Sequence, residues 1–274
     1  MLSGFRIRKI VFAFGGVLVC LWVMWLAIPE SWIAAYVQEL LKDSKISIEF
    51  SGIKKGFFYT LRIGHVLVSR TTPGNATNAI PHPQTLICTI RDASIIPDVV
   101  SFLVLAPRFN ISGQINGGDI RGAYTGSFQE TAIQINGNNI QMNGLPVFEN
   151  MGIYGHGVLS FHFQWKNDKG EMTFDIDHAD LRGQAAGLNV MPLNVFNHMK
   201  GVLDFSDVTR LNPVSFEGKG IYLRLKGAIR EQSLDGTMEL MTDASFNQYP
   251  LLQATLKQYQ VSPGYYLIPY HQIF

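Results

Sequence analysis

From residue 108 onward the sequence repeats one pattern, in which apolar and polar residues alternate and glycines separate the alternating runs. The clearest example is LSFHFQWKNDKGEMTFDIDHADL, residues 159–181, which is typical of two strands joined by a tight turn. A period of two places the apolar side chains on one face of an antiparallel sheet and the polar side chains on the other. The pattern therefore predicts a mainly β protein whose sheet has one apolar face.

Other segments repeat this arrangement. An Asn-Gly pair at 116–117 and another at 136–137 each predict a hairpin, because two-residue hairpin turns prefer this dipeptide. GIYLRLKGAI and GTMELMTD predict a later strand pair. Residues 46–70 are typical of short strands punctuated by glycines, and residues 71–84, which hold three prolines, are typical of a loop.

The apolar face has few helices to cover it, so the sheet must close on itself, pack against another sheet or leave an apolar groove. We expect an elongated, curved antiparallel sheet that is either groove-like or sandwich-like. Large residues opposite small ones would indicate a dry core, whereas a uniformly apolar wall with glycine bends would favour a groove. The residues that would line either one are Leu159, Phe161, Phe163, Trp165, Phe174, Ile176, Leu223 and Leu225.

The N-terminal region predicts a membrane anchor. Residues 10–28 are nineteen residues without a charge, and Arg6, Arg8 and Lys9 precede them. About 20 apolar residues span a bilayer as a helix, and basic residues on the short side keep that side in the cytoplasm. We therefore predict a cytoplasmic segment at 1–9 and an uncleaved, single-pass inner-membrane anchor at 10–28. The alternative is a cleaved signal peptide, whose apolar region would be about 7–15 residues long.

Beyond the anchor, apolar residues at helical spacing predict an amphipathic helix from about Ser31 to Lys42, within a connecting segment at 29–44. The β-rich domain would then span 45–274. Because the anchor holds the N-terminus in the cytoplasm, we expect this domain to lie in the periplasm.

Composition excludes nucleic acid as a partner, and the positions of the two cysteines exclude an internal disulfide. The net charge is +1, so the chain has no basic excess with which to bind nucleic acid. Cys20 lies in the predicted anchor and Cys88 lies in an apolar, strand-like segment. We therefore expect no internal disulfide and an inert thiol at Cys88.

No catalytic pattern is complete in this sequence. Gly152, Gly155 and Gly157 do not form a dinucleotide-binding loop, because such a loop opens a helix and here a strand-like run follows. These glycines fit bends or bulges of a sheet better. Ser51 and Lys54 match Ser-x-x-Lys, but that motif requires a helix and companion motifs that the sequence lacks. We predict no catalytic residues and no cofactor.

A group of acidic and histidine residues lies near the end of the clearest hairpin. Asp175 and Asp177 would share one face of a strand, whereas His178 would point to the other face. With Asp180 nearby, a solvated strand end explains the group better than a metal site does. We therefore predict no metal ligand here.

Two stretches carry a resemblance to a known family. NNIQMNGLPVFENMGIYGHGVLSFHF, residues 138–163, leads from a strand through Gly-Leu-Pro to a Gly-x-Gly-x-Leu strand. In VSFEGKGIYLRLKGAI, residues 214–229, one glycine precedes an alternating strand and another ends it. With a short N-terminus, one anchor and a long glycine-punctuated β domain, the chain resembles the type II secretion system protein N family. The likeness spans most of the sequence, apart from the loop at 71–84 and the tail after Gln258.

This resemblance implies a non-enzymatic accessory protein of the Gram-negative envelope, associated with the machinery that secretes folded proteins across the outer membrane. Its implied partners are the inner membrane and other secretion-system proteins. A wider similarity to AsmA-like proteins implies, as the alternative, a periplasmic β-groove that binds or transfers phospholipid. The family has no catalytic residues to carry over to this sequence.

Overall fold

The computed structural model describes residues 16, 19–20, 22–40, 46–56, 59–71, 84–98, 100–101, 106–126, 130–150, 152–183, 193–230, 233–244, 254 and 256–273. Within these residues the chain forms one antiparallel sheet of fourteen strands. The strands lie side by side in chain order, except that the last two exchange places, so the sheet order ends β12–β14–β13. The predicted mainly β fold is confirmed.

The strands other than β13 are eight to fifteen residues long, and two helices have both of their ends described. The strands are β1 (Ile46–Lys55), β2 (Leu61–Thr71), β3 (Gln84–Asp98), β4 (Arg108–Ile115), β5 (Gly118–Gly126), β6 (Thr131–Gln141), β7 (Ile153–Lys166), β8 (Lys169–Gly183), β9 (Phe196–Phe205), β10 (Thr209–Gly218), β11 (Ile221–Arg230), β12 (Ser233–Thr242), β13 (Gln260–Ser262) and β14 (Tyr265–Ile273). The helices are α1 (Glu30–Leu40) and α2 (Pro146–Asn150), and the 3-10 turns are Leu193–Val195 and Lys257–Tyr259.

Two of the predicted hairpins form as their sequences indicate. In the β7–β8 hairpin the turn residues Asn167 and Asp168 have φ of 46° and 63°. In the β4–β5 hairpin Asn116 and Gly117 have φ of 44° and 83°. Two consecutive positive φ angles are the requirement of the two-residue turn that matches the twist of the flanking strands.

Two other predictions are wrong. The Asn-Gly pair at 136–137 is not a turn, because β6 runs through it and Gly137 pairs with Phe161 of β7. A Cβ at Gly137 would lie 2.3 Å from the Phe161 ring, so this glycine makes room for an aromatic side chain. Residues 46–70 do not form short strands, because Gly52 adopts a φ of +67° inside β1 and the pairing with β2 continues on both sides of it.

The sheet curves around α2. This helix contacts both β3 and β7, and the Asn150 side-chain amide donates a hydrogen bond of 2.8 Å to the Leu86 carbonyl oxygen. In a flat sheet β3 and β7 would lie four strand spacings apart, or about 19 Å, whereas five helical residues extend only about 7.5 Å. The intervening strands therefore curl toward α2. The bulge between Gly137 and Ile140, where two residues of β6 lie opposite the single residue Ser160 of β7, adds to the bend.

The two ends of the strands differ in how the chain connects them. At one end, which we call the long-connection end, the connections carry α2, Leu193–Val195 and Lys257–Tyr259. At the other, the short-turn end, the chain passes from β7 to β8 through residues 167–168, from β9 to β10 through residues 206–208, and from β3 to β4 through the longer, partly described segment 99–107. Among the described connections, those at the long-connection end place Leu193 and Leu256 in the core on the apolar face.

The segment before β1 is partly described. The amphipathic helix predicted after the anchor is present as α1, in which Ile33 packs on the β1–β3 core and Trp32 and Tyr36 are exposed. Of the anchor predicted at 10–28, only residues 16, 19–20 and 22–28 are described, and the run 22–27 is helical. In the described part of the chain, no helix has both the length and the apolar character needed to cross a membrane.

The loop predicted at 71–84 lies outside the described residues except at its two ends.

Lys55, the last residue of β1, attaches the N-terminal helical segment to the sheet. Its Nζ donates hydrogen bonds to the carbonyl oxygens of Trp25 (3.0 Å) and Leu26 (3.1 Å), and also to that of Ile28. The same ammonium lies 5.5 Å from the centroid of the Trp25 ring, within the range of a cation–π interaction. A cation at the last carbonyls of a helical segment also interacts favourably with its dipole. Lys55 therefore fixes where this segment sits relative to the strands.

We expect Lys55→Gln to release residues 22–28 from the sheet, because a shorter, uncharged amide cannot cap three carbonyl oxygens. The expected loss is about 1–2 kcal/mol of local opening free energy. Hydrogen–deuterium exchange should show faster exchange over residues 22–40 and unchanged exchange in β7–β9. Lys54→Gln is the matched control, because the neighbouring Lys54 side chain is exposed. Equal protection in both variants would show that Lys55 does not hold the segment.

Candidate functional site

Strand pairing arranges the apolar residues in rows that cross the sheet. In the row nearest the long-connection end, Leu159 pairs with Ile176 and Leu223 pairs with Leu240, which in turn pairs with Tyr266. In the row nearest the short-turn end, Phe109, Tyr124, Ile133 and Trp165 face one another across β4 to β7, and Phe205 follows beyond Gly170. These rows form the face that the alternating pattern predicts.

The row at the long-connection end is a closed, dry core. Leu223 and Leu240 are each 0% exposed, and Phe196 at the start of β9 is 0% exposed as well. Leu193 and Leu256, which belong to the connections rather than to the strands, are buried in the same cluster. The connections at this end therefore complete the core that the sheet face begins.

The row at the short-turn end is less covered, and its members are mostly aromatic. We call the half-buried rings at this end the aromatic mouth, which consists of Phe109, Tyr124, Phe163, Trp165 and Phe205. The ring centroid of Phe163 lies 6.5 Å from that of Trp165 and 6.1 Å from that of Phe205. The ring centroids of Phe109 and Tyr124 lie 6.2 Å apart. Such distances are typical of interacting aromatic pairs. The mouth is thus an ordered aromatic surface with partial access to solvent.

Glycines lie beneath several rings. A Cβ at Gly137 would lie 2.3 Å from Phe161, a Cβ at Gly170 would lie 2.4 Å from Trp165, and a Cβ at Gly201 would lie 2.8 Å from Phe174. Each ring therefore covers the backbone of the glycine on the adjacent strand. This pairing of large with small residues is the arrangement expected of a packed face, and it holds the rings of the mouth and the core in place.

The structure places all eight sequence-predicted lining residues on this one face, but in two environments. Ile176, Leu223 and Leu225 are buried in the largest core cluster. Leu159, Phe161 and Phe174 are half-buried and pack against core clusters. Phe163 and Trp165 belong to the aromatic mouth. The sequence reasoning missed Phe205, Phe109 and Tyr124, although Phe205 ends the alternating run Gly201-x-Leu203-x-Phe205 and could have been found from it.

The structure also shows where the residues of the rejected catalytic motifs lie. Ser51 and Lys54 lie on β1, so Ser-x-x-Lys here is on a strand and lacks the helix that the motif requires. Gly155 and Gly157 lie within β7. Gly155 pairs with Leu181, whereas Gly157 lies at a bulge, opposite His178 and Ala179 of β8. Gly155 has a φ of +131°, and a Cβ there would lie 2.0 Å from the carbonyl oxygen of Asp180.

The cysteines are both free, as the sequence predicts. Cys88 is half-buried on β3, against the cluster that surrounds α2. Burial raises the pKa of the Cys88 thiol. Since the thiolate is the reactive form, this thiol is poorly placed to act as a nucleophile.

Comparison with known proteins gives no further guide, because no family model, no curated protein and no solved structure matches this chain.

We expect Gly137→Ala to destabilise the protein by about 1–3 kcal/mol, because its Cβ would overlap the Phe161 ring. Gly64→Ala is the matched control, since a Cβ at Gly64 has its nearest neighbour at 3.4 Å. Urea unfolding of both variants measures the difference. A smaller cost of Gly137→Ala in a Phe161→Leu background would identify the ring as the cause, and equal costs for the two glycines would contradict the packing described here.

Proposed function

We propose that this chain is a non-enzymatic envelope protein, held at the inner membrane by its N-terminal segment, whose aromatic mouth takes the acyl chain of a membrane phospholipid. One observation carries the proposal. The aromatic mouth and the exposed apolar surface of the N-terminal helical segment lie at the same end of the sheet.

The position of the helical segment follows from its contacts with β1. Lys55 ends β1 at the short-turn end, and its Nζ binds the carbonyl oxygen of Trp25. Tyr59, in the connection from β1 to β2, has its ring centroid 5.9 Å from that of Trp25. Trp165 and Phe205 lie at the ends of β7 and β9, which run in the same direction as β1. The mouth and the segment therefore share one end of the strands.

The helical segment presents an apolar surface of its own. Val19, Val23 and Leu26 recur at helical spacing and are 58%, 55% and 46% exposed. Met24 and Ile28 are also exposed. Contiguous apolar patches on a helix mark a contact with a membrane or with another protein. A bilayer that buries this patch would bring its lipids to the short-turn end, next to the aromatic mouth.

The lining of the mouth favours an acyl chain over a peptide. Phe163, Trp165 and Phe205 offer aromatic surface and few hydrogen-bonding groups. A peptide in this position would leave its backbone N–H and C=O groups without partners, at a cost of roughly 1–3 kcal/mol for each group. A hydrocarbon chain has no such groups, and its burial contributes about 0.8 kcal/mol for each methylene.

The test uses the full-length chain in vesicles of phosphatidylethanolamine and phosphatidylglycerol that contain a phospholipid with a diazirine near the end of one acyl chain. After irradiation, mass spectrometry maps the labelled peptides. We expect labelling of β7 and β9 as well as of residues 16–36, and a several-fold loss on β7 in Trp165→Gln. Tyr154→Ser is the matched control, because Tyr154 lies on β7 at the opposite end and is exposed.

Labelling confined to residues 16–36, with folded variants verified by circular dichroism, would contradict the proposal. The aromatic mouth would then be the incompletely covered edge of an ordinary core. Labelling that is equal in Trp165→Gln and Tyr154→Ser would contradict it as well, because the acyl chain would not be using the mouth.

We infer a second candidate function, docking on other proteins of a type II secretion machinery, from the open edges of the sheet. Among the described strands β1 has β2 as its one neighbour, and β13 has β14. β1 is ten residues long whereas β13 has three, so β1 offers the longer template for a partner strand. Addition of a strand at such an edge is a common mode of protein recognition.

A photo-crosslinking amino acid at Glu49 or Ser51, which are exposed on β1, tests this candidate in cells that contain the secretion machinery. We expect a covalent adduct with one secretion component at both positions. Arg62, exposed on the interior strand β2, is the control position. Adducts at Arg62 as strong as those at Ser51, or none at any position, would contradict docking at the β1 edge.

A further inference from the structure

On the polar face of the sheet, three metal-binding side chains meet from two adjacent strands. Asp175 and Asp177 lie two residues apart on β8, so their carboxylates point to the same side. His198 lies on β9, where the pairing of Ile176 with Met199 places it beside Asp177. One nitrogen or oxygen atom from each of the three lies within 4.8 Å of the others. The geometry points to a site for a divalent metal ion of the zinc type, formed by Asp175, Asp177 and His198.

The distances suit a shared ion. His198 Nδ1 lies 2.8 Å from Asp177 Oδ1 and 3.8 Å from Asp175 Oδ1. Tetrahedral ligands at about 2.1 Å from zinc are separated from one another by about 3.4 Å, which lies between the two observed distances. Small side-chain rotations would therefore bring all three atoms to one ion. A bound metal ion would replace the direct contact between His198 Nδ1 and Asp177 Oδ1.

The charge of the site favours a cation. Two carboxylates and one imidazole carry two negative charges when the imidazole is neutral. The nearest lysine, Lys200, is directed to Glu217, with its Nζ 3.0 Å from Oε1. Lys200 lies opposite Asp175 in the β8–β9 register, but its ammonium forms its ion pair with Glu217.

The site is open rather than closed. The side chains of Asp175 and Asp177 are about half exposed, whereas that of His198 is 24% exposed and so the most fixed of the three. Three protein ligands leave at least one coordination position for water, as in zinc sites that bind or activate a small molecule. A depression of about 370 Å³, lined in part by Asp175, Thr173 and His162, lies on the Asp175 side of the three ligands.

The sequence could not have shown this site, because His198 is twenty-one residues from Asp177 along the chain. In the sequence the nearest histidine to these aspartates is His178. It has a φ of +53° and is not part of the group. Only the register of β8 against β9 selects the histidine that completes the three ligands.

The test measures Zn²⁺ binding to the full-length chain, purified in detergent without a polyhistidine tag, by isothermal titration calorimetry. Co²⁺ absorption in the visible range reports the coordination geometry independently. We expect one Zn²⁺ per chain with the Asp175–Asp177–His198 site intact, and at least a tenfold weaker Kd in Asp175→Asn and in His198→Gln. All of these side chains lie on the solvent face, so the variants should keep the unfolding temperature of the native chain.

A second His–Asp pair provides the matched control. His271 Nδ1 lies 2.5 Å from Asp235 Oδ1, on the same face of the sheet but on β14 and β12. In the described part of the chain no third ligand joins this pair. His271→Gln should therefore leave Zn²⁺ affinity and the Co²⁺ spectrum unchanged. A Kd that is equal in His198→Gln and His271→Gln, or an absence of stoichiometric Zn²⁺ binding to the native chain, would overturn the proposal.

Discussion

Cross-strand pairing of apolar side chains is the interaction on which the structure depends. From β1 to β12, each strand pairs with the next in a register that keeps apolar residues on one side, so the rows through Phe161 and Leu159 continue across the sheet. A single sheet with one apolar face is not stable in water while that face is flat and open. Curvature around α2, and connections that bury Leu193 and Leu256, are how this chain removes the face from solvent.

The apolar face is buried more completely at one end of the sheet than at the other. The proposed function follows from this difference. The long-connection end has connecting segments that fold over the apolar face, and Leu223 and Phe196 are fully buried there. At the short-turn end the chain passes from β7 to β8 and from β9 to β10 through tight turns, and Trp165 and Phe205 are only half-buried. The same end receives the N-terminal helical segment through Lys55. A bilayer there would bury the aromatic side chains that the protein leaves partly exposed. Lipid binding would then be driven by the same burial of apolar surface that stabilises the core.

On the polar face of the sheet, the contacts between strands are made by charged side chains. Charged residues on neighbouring strands pair with each other, as Lys200 does with Glu217 at 3.0 Å, and these exposed pairs add little to stability. Their positions follow from the same register that builds the core on the other side. Where the register places a histidine beside two aspartates, the proposed metal site arises. Metal binding on one face and lipid binding on the other would therefore depend on one set of strand pairings.

The sequence by itself determined the β-rich class, the identity of the apolar face and the turns at 116–117 and 167–168, because a period of two and positive-φ turn residues act locally. It did not determine how strands face one another. The Asn-Gly pair at 136–137 has the local signal of a turn, yet the Phe161 ring on the next strand requires a glycine there, and β6 continues. Likewise, only the tertiary structure brought His198 to Asp177, and only it divided one uniform apolar pattern into a dry core and an aromatic mouth. Register and cover depend on contacts between residues far apart in the chain, and no local pattern encodes them.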